Sequence, residues 1–140
     1  MLKFIGHAGF MYSTNNEILL MDPWMSKNGA FDSSWYQFPS NHSLGDEIRQ
    51  EIDSTSKKVY IYISHEHKDH FDVDYLKTLN LSKINFITPK FRRDHVASVL
   101  DKLNPKSVTT PIDSEVLKIG EMEIRLFLDD QEIVRDSAIG

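Results

Sequence analysis

The chain contains no cysteine, so thiolate-bound zinc, cysteine-ligated iron–sulfur clusters and disulfides are excluded from its own 140 residues. Long apolar runs are lacking too. The longest strand-like stretch, Val59 to Ile63, is far too short to cross a bilayer, and residues 1–20 show no basic leader followed by an apolar segment. These features predict a cytoplasmic protein with no membrane partner. Basic residues are in the minority: 16 Lys and Arg against 21 Asp and Glu give a net charge of −5, which disfavours nucleic acid as a general partner. There is no low-complexity tract, internal repeat or interdomain linker. With 40% apolar and 26% charged residues the composition is that of an ordinary globular chain, and a single domain of this size buries about two thirds of its unfolded surface.

What the sequence does hold is a concentration of ligand chemistry. ISHEHKDHF, residues 63–71, places His65, His67, Asp69 and His70 directly after an apolar strand, so three of the chain's six histidines fall in one short segment. In extended chain, residues i and i+2 project to the same side, so His65 and His67 can address one ion. Asp69 and His70 follow where the chain must turn, which makes a second adjacent ion feasible. Imidazole and carboxylate suit zinc first, with iron and manganese as alternatives, in a site of one or two divalent ions. The competing reading is a solvated polar loop whose histidines cap strand and helix ends.

Around this segment the pattern is α/β. Leu2 to Ile5, Gly9 to Ser13 and Ile18 to Met21 read as strands, with turn chemistry at residues 14–17. Residues 23–39 read as an ordered loop carrying Trp24, Phe31, Trp35 and Tyr36, whose rings are expected to anchor the loop by burial more than to line a substrate cleft. A helix is predicted from Ser43, as N-cap, to Ile52, with acidic residues early, followed by the strand Val59 to Ile63. Asp72 is predicted to cap a helix over Val73 to Leu79, and Ile84 to Thr88 is a strand. Arg92 to Leu103 carries an apolar helical stripe, and from Ser107 short strands follow, including 115–119 and 122–128.

HxHxDH after an apolar strand resembles the signature of the metallo-β-lactamase superfamily, and FIGHAGFMYSTNNEILLMDPW, residues 4–24, resembles the opening strands of its hydrolase branch. DPWMSKNGAFDSSWYQFP (22–39) and LDDQEIVRDSAIG (128–140) look most like the metallo-β-lactamase-type half of CMP-N-acetylneuraminate hydroxylase. The resemblance implies an αββα sandwich, of which residues 1–140 would supply the N-terminal half and the start of the second half. It therefore implies an incomplete domain, with either a C-terminal half elsewhere or a homo-oligomer covering the open edge.

The resemblance assigns His65 and His67 to a first metal and Asp69 with His70 to a second. Asp22 is expected to brace the metal loop, and His7 to lie near the pocket mouth rather than ligate an ion. His42 and His95 read as surface residues. Asp129, Asp130, Glu132 and Asp136 read as a solvated acidic loop, although Glu132 falls near a histidine position of the hydroxylase pattern, so Glu132 or Asp136 is a further candidate oxygen ligand.

The implied activity is a metal-dependent hydrolase in which a metal-activated hydroxide attacks a phosphoester, an ester or amide, or a sugar derivative, with Asp69 also accepting a proton. Two alternatives stand beside it. One is the non-Rieske component of a sialic-acid-hydroxylase-like oxidoreductase, since a Rieske centre needs two cysteines and this chain has none. The other is a non-catalytic truncated fragment that retains the metal loop.

Overall fold

The computed structural model describes residues 1–130 and 135–139, with Asp130 and the last five as backbone only. The chain opens as an antiparallel meander, β1 (Leu2–Gly6), β2 (Gly9–Ser13) and β3 (Glu17–Met21). Parallel strands then extend the sheet: β4 (Lys58–Tyr62), β5 (Ile84–Ile87) and β6 (Ser107–Thr109), giving the order β1-β2-β3-β4-β5-β6. Helix α1 (His42–Ser54) connects β3 to β4, the short α2 (Val73–Leu76) lies between β4 and β5, and α3 (His95–Lys102) connects β5 to β6. A second, antiparallel sheet comprises β7 (Val116–Ile119), β8 (Met122–Asp130) and β9 (Arg135–Ile139).

Strand periodicity sorts the core into two layers. On one face Ile18, Leu20, Val59, Ile61, Ile84 and Phe86 pack with the helical residues Ile48, Ile52, Leu76, Val96 and Leu100. On the other, Leu19, Tyr62 and Ile87 meet Met122, Ile124 and Leu126 of β8. The result is helices on sheet on sheet, which is the α/β architecture of the metallo-β-lactamase fold. The second sheet stops short of the first two strands. Cross-strand pairs Leu2–Tyr12 and Phe4–Phe10 lie on that same face and remain exposed.

Several helix boundaries depart from expectation. Helix α1 begins at His42, so Asn41 and not Ser43 occupies the N-cap, and its first turn holds no acidic residue. Asn41 anchors the entry in a different way, donating from its amide to the carbonyls of Ile5 (2.9 Å) and Trp24 (3.0 Å). Asp72 does cap α2, accepting from Tyr75 N at 3.0 Å, but the helix ends at Leu76 instead of Leu79. Thr78 Oγ donates to the Tyr75 carbonyl, and Thr78 N and Leu79 N bond three residues back, which tightens the last turn out of α-geometry. Helix α3 starts at His95 rather than Arg92: Lys90 N is held by the Pro111 carbonyl, and Phe91 N and His95 N bond the carbonyls two residues back, so the chain turns tightly before the helix begins. Asp129 and Asp130 belong to β8 and Asp136 to β9, with Asp129 opposite Asp136, so this acidic cluster is strand rather than loop. Glu132 lies outside the described residues, and nothing of the Asp136 side chain is described. Among the described residues no helix is long and apolar enough to cross a membrane.

Candidate metal centre

Parallel strands in an open sheet gather their carboxyl ends at one edge, and ligand-bearing loops start there. Asp22 follows β3, Ser64 and His65 follow β4, and His7 enters the same edge from the turn between β1 and β2. Both His7 (φ 49°) and Asp22 (φ 43°) adopt left-handed backbone, a costly state for residues other than glycine, and each turns its side chain toward the loop at 64–70. The sharp turn at Gly6 (φ 124°) prepares the first of these, and a Cβ there would strike the Gln37 and Asn41 side chains.

Asp22 sits at the base of the cluster, buried. Its Oδ1 accepts from Ser64 N at 2.7 Å, and its Oδ2 accepts from Ser64 Oγ at 2.6 Å and from His70 Nδ1 at 2.9 Å. These contacts are satisfied together by one arrangement of protons. An ionised carboxylate only accepts, so the one Ser64 hydroxyl proton goes to Asp22, and Ser64 Oγ then accepts from His65 Nδ1 at 2.9 Å. With Nδ1 of both His65 and His70 protonated, each ring presents an Nε2 lone pair to the cluster. His65 Nε2 faces His67 Nδ1 at 3.0 Å, and the His65 and His70 rings lie 4.2 Å apart.

Asp69 is also buried. Its Oδ2 is 2.8 Å from His7 Nε2 and 3.6 Å from His70 Nε2. Its Oδ1 is buried with no hydrogen-bond partner among the described residues. A buried, orphaned carboxylate oxygen is expensive unless something electropositive meets it. His7, Asp69 and His70 each place a donor atom within 4.8 Å of the others. A cysteine-free set of imidazoles and one free carboxylate oxygen fits a divalent ion.

The loop residues expected to gather do so, and His7, exposed at the rim, joins them by touching Asp69 directly. Ser64 was not singled out from sequence, although a small hydroxyl immediately before the first histidine of such a segment was the available signal. His42 is half-buried, its Nδ1 3.3 Å from the Met25 carbonyl, and His95 is exposed. Of the four loop aromatics only Trp24 is buried as expected. Phe31 (41% exposed), Trp35 (49%) and Tyr36 (55%) reach solvent, because the 30–35 turn folds back on itself and directs them outward. Asp72 does more than cap a helix. Its Oδ2 accepts from Met25 N (2.9 Å) and Ser26 N (2.7 Å), tying the loop after β3 to the end of the metal segment.

A β-lactamase-superfamily fold is what this sheet arrangement and histidine-rich edge define, and comparison with known proteins agrees. The family model described as the beta-lactamase superfamily domain matches residues 1–137, and the chain belongs to that family. Among curated proteins, ones named as Rieske 2Fe-2S iron–sulfur proteins are similar to it: one from Mycolicibacterium smegmatis is 33% identical over 99 residues, and one from Mycobacterium tuberculosis 36% identical over 99. The matched part is 71% of this chain and 18% of each relative, so the chain spans under a fifth of their length. Among solved structures, CmlA, a diiron β-hydroxylase from Streptomyces venezuelae, superposes with a TM-score of 0.63 at 20% identity, covering 90% of this chain and 23% of that one. A variant of the same enzyme gives 0.65 at 19% identity, covering 99% and 28%. At that identity the likeness is one of fold.

Proposed function

We propose that this chain is the metal-holding module of a larger metalloenzyme, with iron as the ion and oxidation of a small molecule as the reaction. The observation that carries the reading is Asp69: one carboxylate oxygen meets His7 at 2.8 Å and His70 at 3.6 Å, while the other is buried without a hydrogen-bond partner among the described residues. His65 Nε2 and His67 Nδ1 would hold one ion, and Asp69 Oδ1 with His70 Nε2 a second. Asp22 and Ser64 orient the rings, and His7 pins the Asp69 carboxylate. When bound, such ions supply Lewis acidity and, as iron, one-electron redox chemistry. Iron over zinc is favoured by the names of the relatives: Rieske iron–sulfur proteins in sequence, a diiron hydroxylase in fold. Any Rieske cluster belongs to a segment or partner that carries cysteines. Glu132 is kept as a candidate oxygen ligand.

A metal-dependent hydrolase acting on a phosphoester or sugar derivative is the second reading. It is favoured by the donor set itself, all nitrogen and oxygen, which accepts zinc equally well. One experiment separates the two. Metal content is measured by plasma mass spectrometry on protein purified without added metal, beside His67→Ala, followed by assays of oxygen uptake with a reductant and of nitrophenyl ester and phosphodiester hydrolysis. Retained iron that falls in His67→Ala, with oxygen uptake, supports the oxidoreductase. Retained zinc with ester cleavage moves the assignment to the hydrolase, and protein free of metal overturns both.

A further inference from the structure

Exposed aromatic rings near a polar cluster are costly to leave in water, and this chain fixes two of them there. The loop after β3 closes at Ala30 and Trp35, where Ala30 N donates to the Trp35 carbonyl (2.8 Å) and Trp35 N to the Ala30 carbonyl (3.2 Å). Between them Phe31 (φ 52°), Asp32 (φ 55°) and Ser33 (φ 64°) are all left-handed, and none is glycine or asparagine. Ser33 Oγ donates to the Asn28 carbonyl at 2.9 Å, and Gly29 lets the Trp35 carbonyl and the Tyr36 ring approach closer than a side chain would allow. Backbone this constrained holds the rings where they are.

The rings are not placed at random. Phe31 and Trp35 stack at 5.9 Å with 26° between their planes. Trp35 meets the His7 ring edge-on at 5.6 Å and buried Trp24 at 6.2 Å, and Phe31 meets His67 at 6.4 Å. Each member of the pair therefore touches one imidazole of the candidate centre. Phe31 also borders a cleft of about 520 Å³, whose polar walls include Asp32, Glu66, Asp74 and Lys68. A cleft of that size suits a small molecule. Its carboxylates outnumber its single lysine, so an anionic ligand is disfavoured there.

We infer that Phe31 and Trp35 form a stacking platform that receives a flat aromatic group of the substrate, uncharged or cationic, beside the metal ligands. Both rings are partly exposed, and a planar group laid against them gains offset stacking and cation–π attraction that an aliphatic ring does not. The inference rests on reading the centre as catalytic, but the platform itself requires no ion.

The chain has two tryptophans, so an ¹⁵N-labelled sample shows two indole N–H signals, assigned by Trp35→Phe. Indole, tryptamine, indole-3-acetate and cyclohexylmethanol are titrated into protein as purified and after chelator treatment. The expected result is a saturable shift at Trp35 with indole and tryptamine in both samples. Indole-3-acetate and cyclohexylmethanol should bind about two- to tenfold more weakly. Phe31→Ala should weaken indole binding, and Phe31→Leu, which keeps bulk but not the ring, should do the same while leaving the rest of the spectrum unchanged. Equal binding of indole and cyclohexylmethanol, no saturable shift, or indifference to Phe31→Leu would overturn the platform. If the metal reading alone fails, the protein lacks metal and the Trp35 shifts persist.

Discussion

Asp22 and Ser64, 42 positions apart, share a 2.6 Å hydroxyl–carboxylate hydrogen bond and a 2.7 Å backbone–carboxylate bond, and through them the end of β3 is tied to the histidine-rich loop. The carboxylate accepts three hydrogen bonds and leaves two histidines with their Nε2 atoms facing inward. Asp22→Ala and Ser64→Ala should each retain the fold yet lower divalent-metal affinity by about 10–100-fold, as partners behind metal ligands do. Competition titration against a chelator measures this. Unchanged affinity in both variants would sink the orienting role.

Asp72 joins three backbone N–H groups, Met25, Ser26 and Tyr75, through one buried side chain. Asp72→Ala removes a helix cap and orphans two further donors, so a loss of about 2–4 kcal/mol is expected. Urea unfolding of the variant would show it as a lower midpoint at unchanged slope. A change below about 1 kcal/mol, within the range of an exposed cap alone, would mean that water replaces the carboxylate.

The Tyr75 hydroxyl donates to the Gly45 carbonyl at 3.1 Å. Burial pushes its phenol well above the ordinary 10.0; Arg49 pulls it back somewhat, and Asp72 and Asp46 add to the rise. Because the folded value is the higher one, its contribution is fully present below the ordinary tyrosine range. It is lost as pH rises above it, where only the unfolded chain ionises. Unfolding free energy should fall by about 1.4 kcal/mol per pH unit there on account of this one group. Tyr75→Phe should be less stable at neutral pH but flatter with pH above about 10. Parallel slopes in the two proteins would contradict the assignment.

Gly120 (φ 62°) turns β7 into β8, and a Cβ there would run into the Glu17 carboxylate, itself buried and bonded to Thr14 Oγ at 2.5 Å. Gly120→Ala should cost at least about 1–2 kcal/mol from backbone handedness alone. It should also loosen the second sheet, seen as faster amide exchange in β7 and β8. Wild-type exchange in the variant would show that Glu17 moves aside freely.

Local chemistry made much of this protein readable from its sequence. Continuous apolar runs announced β3 and β4, because a strand covered on both faces buries consecutive side chains. The crowding of His65, His67, Asp69 and His70 announced a cluster of ligand-type side chains, because few roles other than metal binding need three imidazoles and a carboxylate together. Helix α2 stops at Leu76 through a local contact of Thr78 with the Tyr75 carbonyl that the apolar periodicity does not announce. Boundaries at His42 and His95 were not readable, since each depends on a distant partner, Asn41 on Ile5 and Trp24 and Lys90 on Pro111. The same holds for His7, whose contact with Asp69 spans 62 positions, and for Phe31 and Trp35, whose hydrophobicity alone argued for burial. By itself the sequence determined the strand and helix periodicities, the ligand types and the loop that carries them. Only the tertiary structure decided which carboxylate oxygen is left free, which ring nitrogens of His65 and His70 lie against Ser64 and Asp22, and which aromatics face solvent. Those properties are fixed by hydrogen bonds and backbone turns between segments that meet only when the sheet edge assembles.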